Sequence, residues 1–251
     1  MTKRINWLEQ ANELGFKVDK IPELLFTPNL KKPKKKDDVC IDIFAGCGGA
    51  SLGLTQAGIH PALAIDNEKW AMLTYMANLG RKPSKPVCFM HQDIKKINGK
   101  QIIKLLSKMG YEPKVTYIWG SPPCQDFSTA NMKNRKSRPV TFDQGTRYCI
   151  LEFVRLIREL KPLCFFMENV PGLVQGKLKI LFDVFLAKLK RIGYQVTWDI
   201  LNAADFGVPQ NRKRVIAIGI HGRQYNERKA QQLLQSLYPG CTVTPYKVGK
   251  K

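Results

Sequence analysis

Cys124 stands apart from the chain's other six cysteines. It lies in Ser121-Pro122-Pro123-Cys124-Gln125-Asp126-Phe127-Ser128, where two prolines stiffen the approach to a thiol. A rigid loop presenting a thiol suits a nucleophile. Cys40, Cys88, Cys149 and Cys164 fall within strand or helix runs and read as small buried hydrophobes. Further on, Glu168-Asn169-Val170-Pro171-Gly172 follows the apolar run Leu163–Met167. A carboxylate there is expected to be partly desolvated, which raises its pKa and favours proton donation. Gln210, Arg212 and Arg214 come next. Alternate residues of an extended segment share a face, so the two arginines can point at one site.

A second group of residues suits ligand binding. Asp42-Ile43-Phe44-Ala45-Gly46-Cys47-Gly48-Gly49 closes an apolar run in glycines. Glycines there let backbone approach a ligand and free the next helix N-terminus. The spacing is not G-x-G-x-x-G, so the dinucleotide pattern is not met, and a plain tight turn is the alternative. Asp66 ends the next strand run, placed either to accept hydrogen bonds from ribose hydroxyls or to cap the following helix. Asp93 follows the third and can take an adenine amino group or cap a helix. Together these strand ends point to a nucleoside-bearing cofactor such as S-adenosylmethionine or a nicotinamide nucleotide. The cysteines form no CxxC pair, so neither a metal site nor a disulfide framework is indicated.

These side chains need elements to position them. Short apolar runs predict strands at Val39–Phe44, Ala62–Asp66, Val87–Met90, Val115–Trp119, Leu163–Glu168, Tyr194–Leu201 and Val215–Ile220. Helices are expected between them, at about Ala50–Ala57, Glu68–Leu79, Gln101–Met109, Thr146–Leu160 and Leu178–Arg191. In Thr146–Leu160, Ile150, Phe153, Val154 and Ile157 share one helix face. Alternating strands and helices predict an α/β fold with a mostly parallel seven-stranded sheet and helices on both faces. The last strand follows its predecessor by about a dozen residues with no helix between, so it is expected to be the one antiparallel strand. Ligands in such sheets sit beyond the carboxyl ends of the strands, where the residues above lie.

The organisation reads as an N-terminal helix (about Ile5–Leu14) and basic linker over 1–38, a catalytic domain over 39–222, and a short helix (Asn226–Leu237) with a tail over 223–251. Length and composition fit one main globular domain: 251 residues, 44% hydrophobic, 24% charged. The charge is the anomaly. Lys and Arg total 41 against 20 acids, for a formal +21. That suggests a polyanionic partner, nucleic acid first and an anionic membrane surface second. Met1–Gln10 lacks the apolar stretch of a signal peptide, and no run approaches the ~18 apolar residues of a membrane helix. The expectation is a cytoplasmic, nucleoid-associated protein with reduced thiols, or a nuclear one in a eukaryote. Lys31–Lys36 reads as a solvated linker, with a phosphate-contacting arm as the sharper alternative.

DIFAGCGG, SPPCQ, MENV and QNRKR, in this order from about Val39 to Ile220, resemble the motif series of DNA (cytosine-5) methyltransferases. The resemblance implies an S-adenosylmethionine-dependent methyltransferase (Rossmann-like) fold and S-adenosyl-L-methionine as cofactor. It implies that Cys124 attacks C6 of a flipped cytosine and that C5 then takes the methyl group. Glu168 would hydrogen-bond N3 and the exocyclic amine. Arg214, with Arg212, would hold the O2 side and Glu168, and their charge would favour the Cys124 thiolate. Phe44 matches the adenine-contacting aromatic. Gly46, Cys47 and Gly49 would line the methionine part, Asp66 the ribose with Asn67 beside it, and Asp93 with Ile94 the adenine. Pro123 would pack near the sulfonium. Gln125, Ser128, Lys133, Arg135, Lys136, Arg138, Asn169 and Gln210 are assigned to nucleic acid, because the basic loop after the nucleophile would close over the flipped base.

Members of that family continue beyond QxRxR into a target-recognition domain and two terminal motifs. Residues 221–251 are too few for another domain, which needs ~50 residues. The expected reading is therefore a catalytic subunit of a split enzyme, with target recognition on a second polypeptide. An autonomous enzyme of low specificity, an RNA cytosine-5 methyltransferase and a non-catalytic binding subunit are the alternatives. Apolar surface beside the first strand, or its coverage by residues 1–30, is expected where the missing helix would pack.

Overall fold

In a computed structural model of the chain, residues 25–26, 38–79, 87–112, 114–123 and 147–222 are described. The chain divides into two compact units, Met1–Gly120 and Ser121–Lys251. The expected helices at 5–14 and 226–237, the run Lys31–Lys36 and the loop from Cys124 to Arg138 lie outside the described residues.

In the first unit the elements are β1 (Leu25–Phe26), β2 (Cys40–Ile43), α1 (Gly49–Gln56), β3 (Pro61–Asp66), α2 (Lys69–Leu79), β4 (Cys88–His91), α3 (Gly99–Lys108) and β5 (Tyr117–Gly120). The strands lie in the order β1-β4-β3-β2-β5. β2 runs parallel to β3 and β5, and β3 parallel to β4. Strands of this kind are covered on both faces and therefore read as continuous apolar runs. All four residues of β2 and the first five of β3 are buried accordingly. Ala64, Met72, Leu73, Tyr75, Met76, Leu79, Val87 and Phe89 form one core cluster, with Tyr75 edge-on to Phe89. α3 starts on a capping box: Asn98 accepts from the Gln101 N–H, and the Gln101 side chain accepts from the Asn98 N–H.

β1 is absent from the sequence expectation, which reads residues 1–30 as helix and loop. It pairs antiparallel with β4, Leu25 opposite Met90 and Phe26 opposite Phe89. Two residues carry no periodicity, so such a strand exists only because β4 offers it an edge. β2, beside which exposed apolar surface is expected, is a central strand of this order and is buried throughout.

The second unit contains α4 (Arg147–Leu160), β6 (Cys164–Asn169), α5 (Lys179–Arg191), β7 (Tyr194–Asn202) and β8 (Lys213–His221), with short 3-10 turns at Pro171–Val174, Gly176–Leu178 and Ala203–Phe206. The strand order is β6-β8-β7. β8 is antiparallel to both neighbours, as the short connection before it requires. The expected face of α4 is buried at Ile150, Phe153, Val154 and Ile157. Phe165 is the hub of the packing, with edge or tilted contacts to Phe153, Phe185 and Tyr194. Gly219 lies opposite Phe165 in the β6–β8 register. A Cβ there would stand 1.9 Å from the Phe165 ring, so only glycine fits without a rearrangement. The Tyr194 hydroxyl donates to the Pro162 carbonyl at 2.6 Å and ties the start of β7 to the turn before β6.

Candidate active site

The carboxyl end of β6 brings three of the expected residues together. Glu168 Oε1 lies 2.7 Å from Arg214 Nε and 3.8 Å from Arg212 Nη2. Register explains the meeting. Glu168 stands opposite Ile216, so Arg214, two residues earlier on β8, projects from the same sheet face just beyond it. The isolated, desolvated carboxylate expected at this position is instead partly exposed, at 22% of its side chain, and ion-paired with two guanidinium groups. Arg214 is the tighter partner and the more buried, at 25% against 50% for Arg212. A fork of this kind fixes a carboxylate in orientation as well as charge.

Asn202 was not singled out in the sequence. Its side-chain oxygen accepts from the Arg212 N–H at 3.0 Å, and the Ala203 N–H donates to the Arg212 carbonyl at 2.9 Å. The latch sets where the chain re-enters β8 and so where both arginines fall. An Asn closing a long strand is the only trace of this in the sequence, and it reads equally as a simple turn residue.

Next to Glu168, Asn169 is buried at 1% exposure. Its Nδ2 donates to the Pro122 carbonyl at 3.2 Å and its Oδ1 accepts from the Val170 N–H at 2.9 Å. Its amide is thus a clamp on the Pro122–Pro123 segment that leads to Cys124, with no surface to offer a nucleic acid. Pro122 is buried and Pro123 partly so. Gln210 is exposed beside the arginines. Cys124, Gln125, Ser128, Lys133, Arg135, Lys136 and Arg138 fall outside the described residues.

In the first unit, the turn after β2 folds under strain. Phe44 has a positive φ of 60°, a rare conformation for a large side chain, and Gly46 and Gly48 have φ of 52° and 89°. Asp66 holds this turn. Its Oδ2 accepts from the Gly46 N–H and its Oδ1 from the Glu68 N–H, both at 2.7 Å. Of the two roles foreseen for Asp66, the backbone bond ahead of α2 is present, and a role not foreseen accompanies it: Asp66 braces the glycine turn. Carboxylate oxygens have lone pairs enough to accept further donors. Ala45, Gly46, Asp66, Met72, Tyr75 and Phe89 are among the residues lining a small, open cleft at these strand ends. A Cβ at Gly46 or Gly49 would meet nothing within 4 Å, so the backbone there is open to approach.

Asp93 takes the capping role: Oδ1 accepts from the Lys95 N–H at 2.9 Å at the head of the Ile94–Lys96 turn. Ile94 is buried, whereas Asn67 and Cys47 are exposed. Cys40, Cys88 and Cys164 are buried thiols as foreseen, with Cys88 and Cys164 pushed up to about 12 by burial, while Cys149 is only partly covered. Among the described residues, no group of three His, Cys, Asp or Glu side chains could hold a metal ion. Nor is any described helix long and apolar enough to cross a membrane.

Sequence reasoning passed over Asp42, Ser51 and Tyr75. Asp42 is wholly buried in β2, and its carboxylate accepts from the Ser51 hydroxyl at 2.5 Å. The signal was a lone acid inside an apolar strand.

The chain resembles known proteins over most of its described length. It is 36% identical to Type II methyltransferase M1.HphI of Haemophilus parahaemolyticus over 71% of this chain and 45% of that protein. It is 34% identical to Type II methyltransferase M.AquIA of Picosynechococcus over 71% of this chain and 70% of that one. The chain thus spans under half the length of the first relative and over two thirds of the second. A crystal structure described as a DNA modification methyltransferase, encoded within an Escherichia coli prophage, superposes with a TM-score of 0.60. It is 26% identical and covers 83% of this chain and 52% of that chain. The fold is accordingly that of the S-adenosylmethionine-dependent methyltransferases. Residues 39–243 match the C-5 cytosine-specific DNA methylase family model, and the chain belongs to that family.

Proposed function

We propose that the chain transfers a methyl group from S-adenosyl-L-methionine to C5 of cytosine in DNA, with Cys124 as the nucleophile. The observation that carries this reading is the Glu168–Arg214–Arg212 fork beside the clamped Pro122–Pro123 segment. It is an anchored carboxylate and two cations at the strand end, next to the Pro122–Pro123 segment that precedes Cys124 in the sequence.

Cytosine C5 is a weak nucleophile until C6 carries an electron-donating adduct. The Cys124 thiolate forms a bond to C6 of a base swung out of the duplex. Glu168 accepts from the exocyclic amine and shares a proton with N3, which takes up the charge pushed into the ring. Both guanidinium contacts fall on Oε1 among the described residues, so Oε2 is the oxygen assigned to the base. Arg214 holds the pyrimidine O2 side. C5 then takes the methyl group, the C5 proton leaves to a base, and the S–C6 bond breaks to regenerate the thiolate. The cofactor supplies an electrophilic methyl group on a sulfonium.

The residues of the first unit suit that cofactor. The cleft edge has open backbone at Gly46 and Gly49 and an acid at Asp66 with capacity for ribose hydroxyls, and Phe44 is assigned to the adenine. Asn67, Asp93, Ile94 and Pro123 complete the assigned contacts. Gln210 and the basic loop Lys133–Arg138 would meet phosphate or base edges. Target choice would rest on a second polypeptide.

The test is covalent trapping on duplex DNA carrying 5-fluorocytosine with S-adenosylmethionine present. The expected result is a stable protein–DNA adduct that Cys124→Ser abolishes. An adduct that survives in Cys124→Ser would overturn the assignment of the nucleophile. Methyl transfer assayed with and without the neighbouring gene product tests the divided arrangement, and full sequence-specific activity of this chain alone would sink it.

A further inference from the structure

β2 buries an acid in a strand otherwise made of apolar side chains. Asp42 is 0% exposed, and its Oδ1 has no hydrogen-bond partner among the described residues. An isolated buried carboxylate is costly unless it is neutral or compensated. Its compensation comes from one residue of α1: the Ser51 hydroxyl donates to it at 2.5 Å. Ser51 Oγ in turn accepts from the Tyr75 hydroxyl of α2, again at 2.5 Å. The relay therefore crosses three elements: β2, α1 and α2.

Its position gives it a task. α1 begins at Gly48 with no side-chain cap and has no acid in its first turn. Asp42, reaching across from the strand, ties down the first turn of α1 through the Ser51 hydroxyl. Tyr75 is the floor beneath the same turn: a Cβ at Gly48 would stand 2.9 Å from its ring and 2.8 Å from Leu79. The same tyrosine lines the cleft together with Gly46 and Asp66. One side chain thus supports the turn from below, walls the cleft, and is fixed by a hydrogen bond that ends on Asp42.

We propose that Asp42, Ser51 and Tyr75 are positioning residues that hold the turn Gly46–Gly48 in the shape the cofactor cleft requires. The cofactor part of this inference rests on the reading above, and the turn-holding part does not. Removing the Tyr75 hydroxyl leaves the ring and its packing in place, so Tyr75→Phe isolates the relay from the floor. Ser51→Ala removes the middle of the relay without adding volume.

Two measurements on the full chain test this. The first is hydrogen exchange of the segment 44–54 without cofactor. Tyr75→Phe and Ser51→Ala are each expected to speed it about tenfold while the strands of the second unit keep wild-type rates. The second is the dissociation constant for S-adenosylmethionine, expected to rise about tenfold in both variants, with duplex DNA affinity unchanged. Asp42→Ala is expected to behave like Ser51→Ala. Asp42→Asn keeps an acceptor for Ser51 and should restore most of what Asp42→Ala loses, which a purely volumetric role would not produce. Unchanged exchange over 44–54 in Tyr75→Phe overturns the proposal, and that variant decides alone if Ser51→Ala does not fold. Wild-type protein that binds no S-adenosylmethionine overturns the cofactor reading, while the exchange arm still judges the relay.

Discussion

Asp42 on β2 and Glu168 on β6 are both strand carboxylates, but their surroundings differ in kind. Asp42 has the Ser51 hydroxyl, itself bonded by Tyr75, and no ion pair among the described residues. Glu168 has Arg214 at 2.7 Å and Arg212 at 3.8 Å. Burial pushes the Asp42 carboxyl up to about 7, the nearby Asp66 charge adding to the rise and the Ser51 bonds opposing it. A carboxylate without cations in a parallel, fully covered strand is a structural group that holds its proton. A carboxylate forked by arginines at an antiparallel strand end is a charged tool facing solvent. The lesson is that residue type did not assign these roles; the neighbours did.

The comparison can be broken most forcefully at Glu168. Glu168→Gln keeps the shape and removes the charge and the shared proton, so methyl transfer should fall about 10²-fold or more with folding intact. Single-turnover rates with tritiated S-adenosylmethionine would check it, and a near-normal rate would place Glu168 outside the chemistry. Next in size is packing behind that tool. Gly219→Ala forces a methyl against Phe165, which should cost about 3 kcal/mol in urea unfolding.

The proton on Asp42 gives a smaller, pH-dependent effect. Its pKa is 3.8 when unfolded and about 7 when folded. Between those values the unfolded chain has released a proton that the folded chain retains. Its contribution to stability is therefore full below about pH 4 and declines as pH rises to about 7, by up to ~1.4 kcal/mol per pH unit. The titratable groups that face it are Asp66 and Tyr75. Asp42→Asn should remove this slope, read as the difference between the two variants' unfolding curves from pH 4 to 8. An unchanged slope would mean that Asp42 does not hold its proton in the folded chain, and the contrast would collapse.

The smallest expected effect sharpens the fork itself. Arg212 is half exposed and farther from Glu168, so Arg212→Ala should alter stability by less than ~1 kcal/mol. Its rate loss should be several-fold smaller than that of Arg214→Ala, which removes the 2.7 Å partner. Equal losses would show that Arg212 acts on the substrate and not through Glu168.

Much of this was legible without coordinates. The seven longer strands, the five helices between them and the antiparallel last strand follow from apolar runs and the length of connections, because a covered parallel strand has to be apolar along its whole length. The arginines' shared target follows from alternation in an extended segment. β1 was not legible, since two residues have no period. The Asn169 clamp on Pro122 was not legible either, because it joins residues 47 apart in sequence. Glu168 was expected to be desolvated and alone, since the sequence shows the apolar run before it but not which residues of β8 come to lie beside it.

The sequence by itself determined the order of the motifs, the family and the types of group available for chemistry, because these are properties of the chain read in one dimension. Only the tertiary structure decided which acid is neutral and which is paired. It also made Asp66 a brace for the glycine turn, Asn169 a clamp and Tyr75 the floor of a cleft. Those outcomes depend on distances between residues far apart in the chain, and hydrogen bonds and desolvation respond to distance and burial, not to position in the sequence.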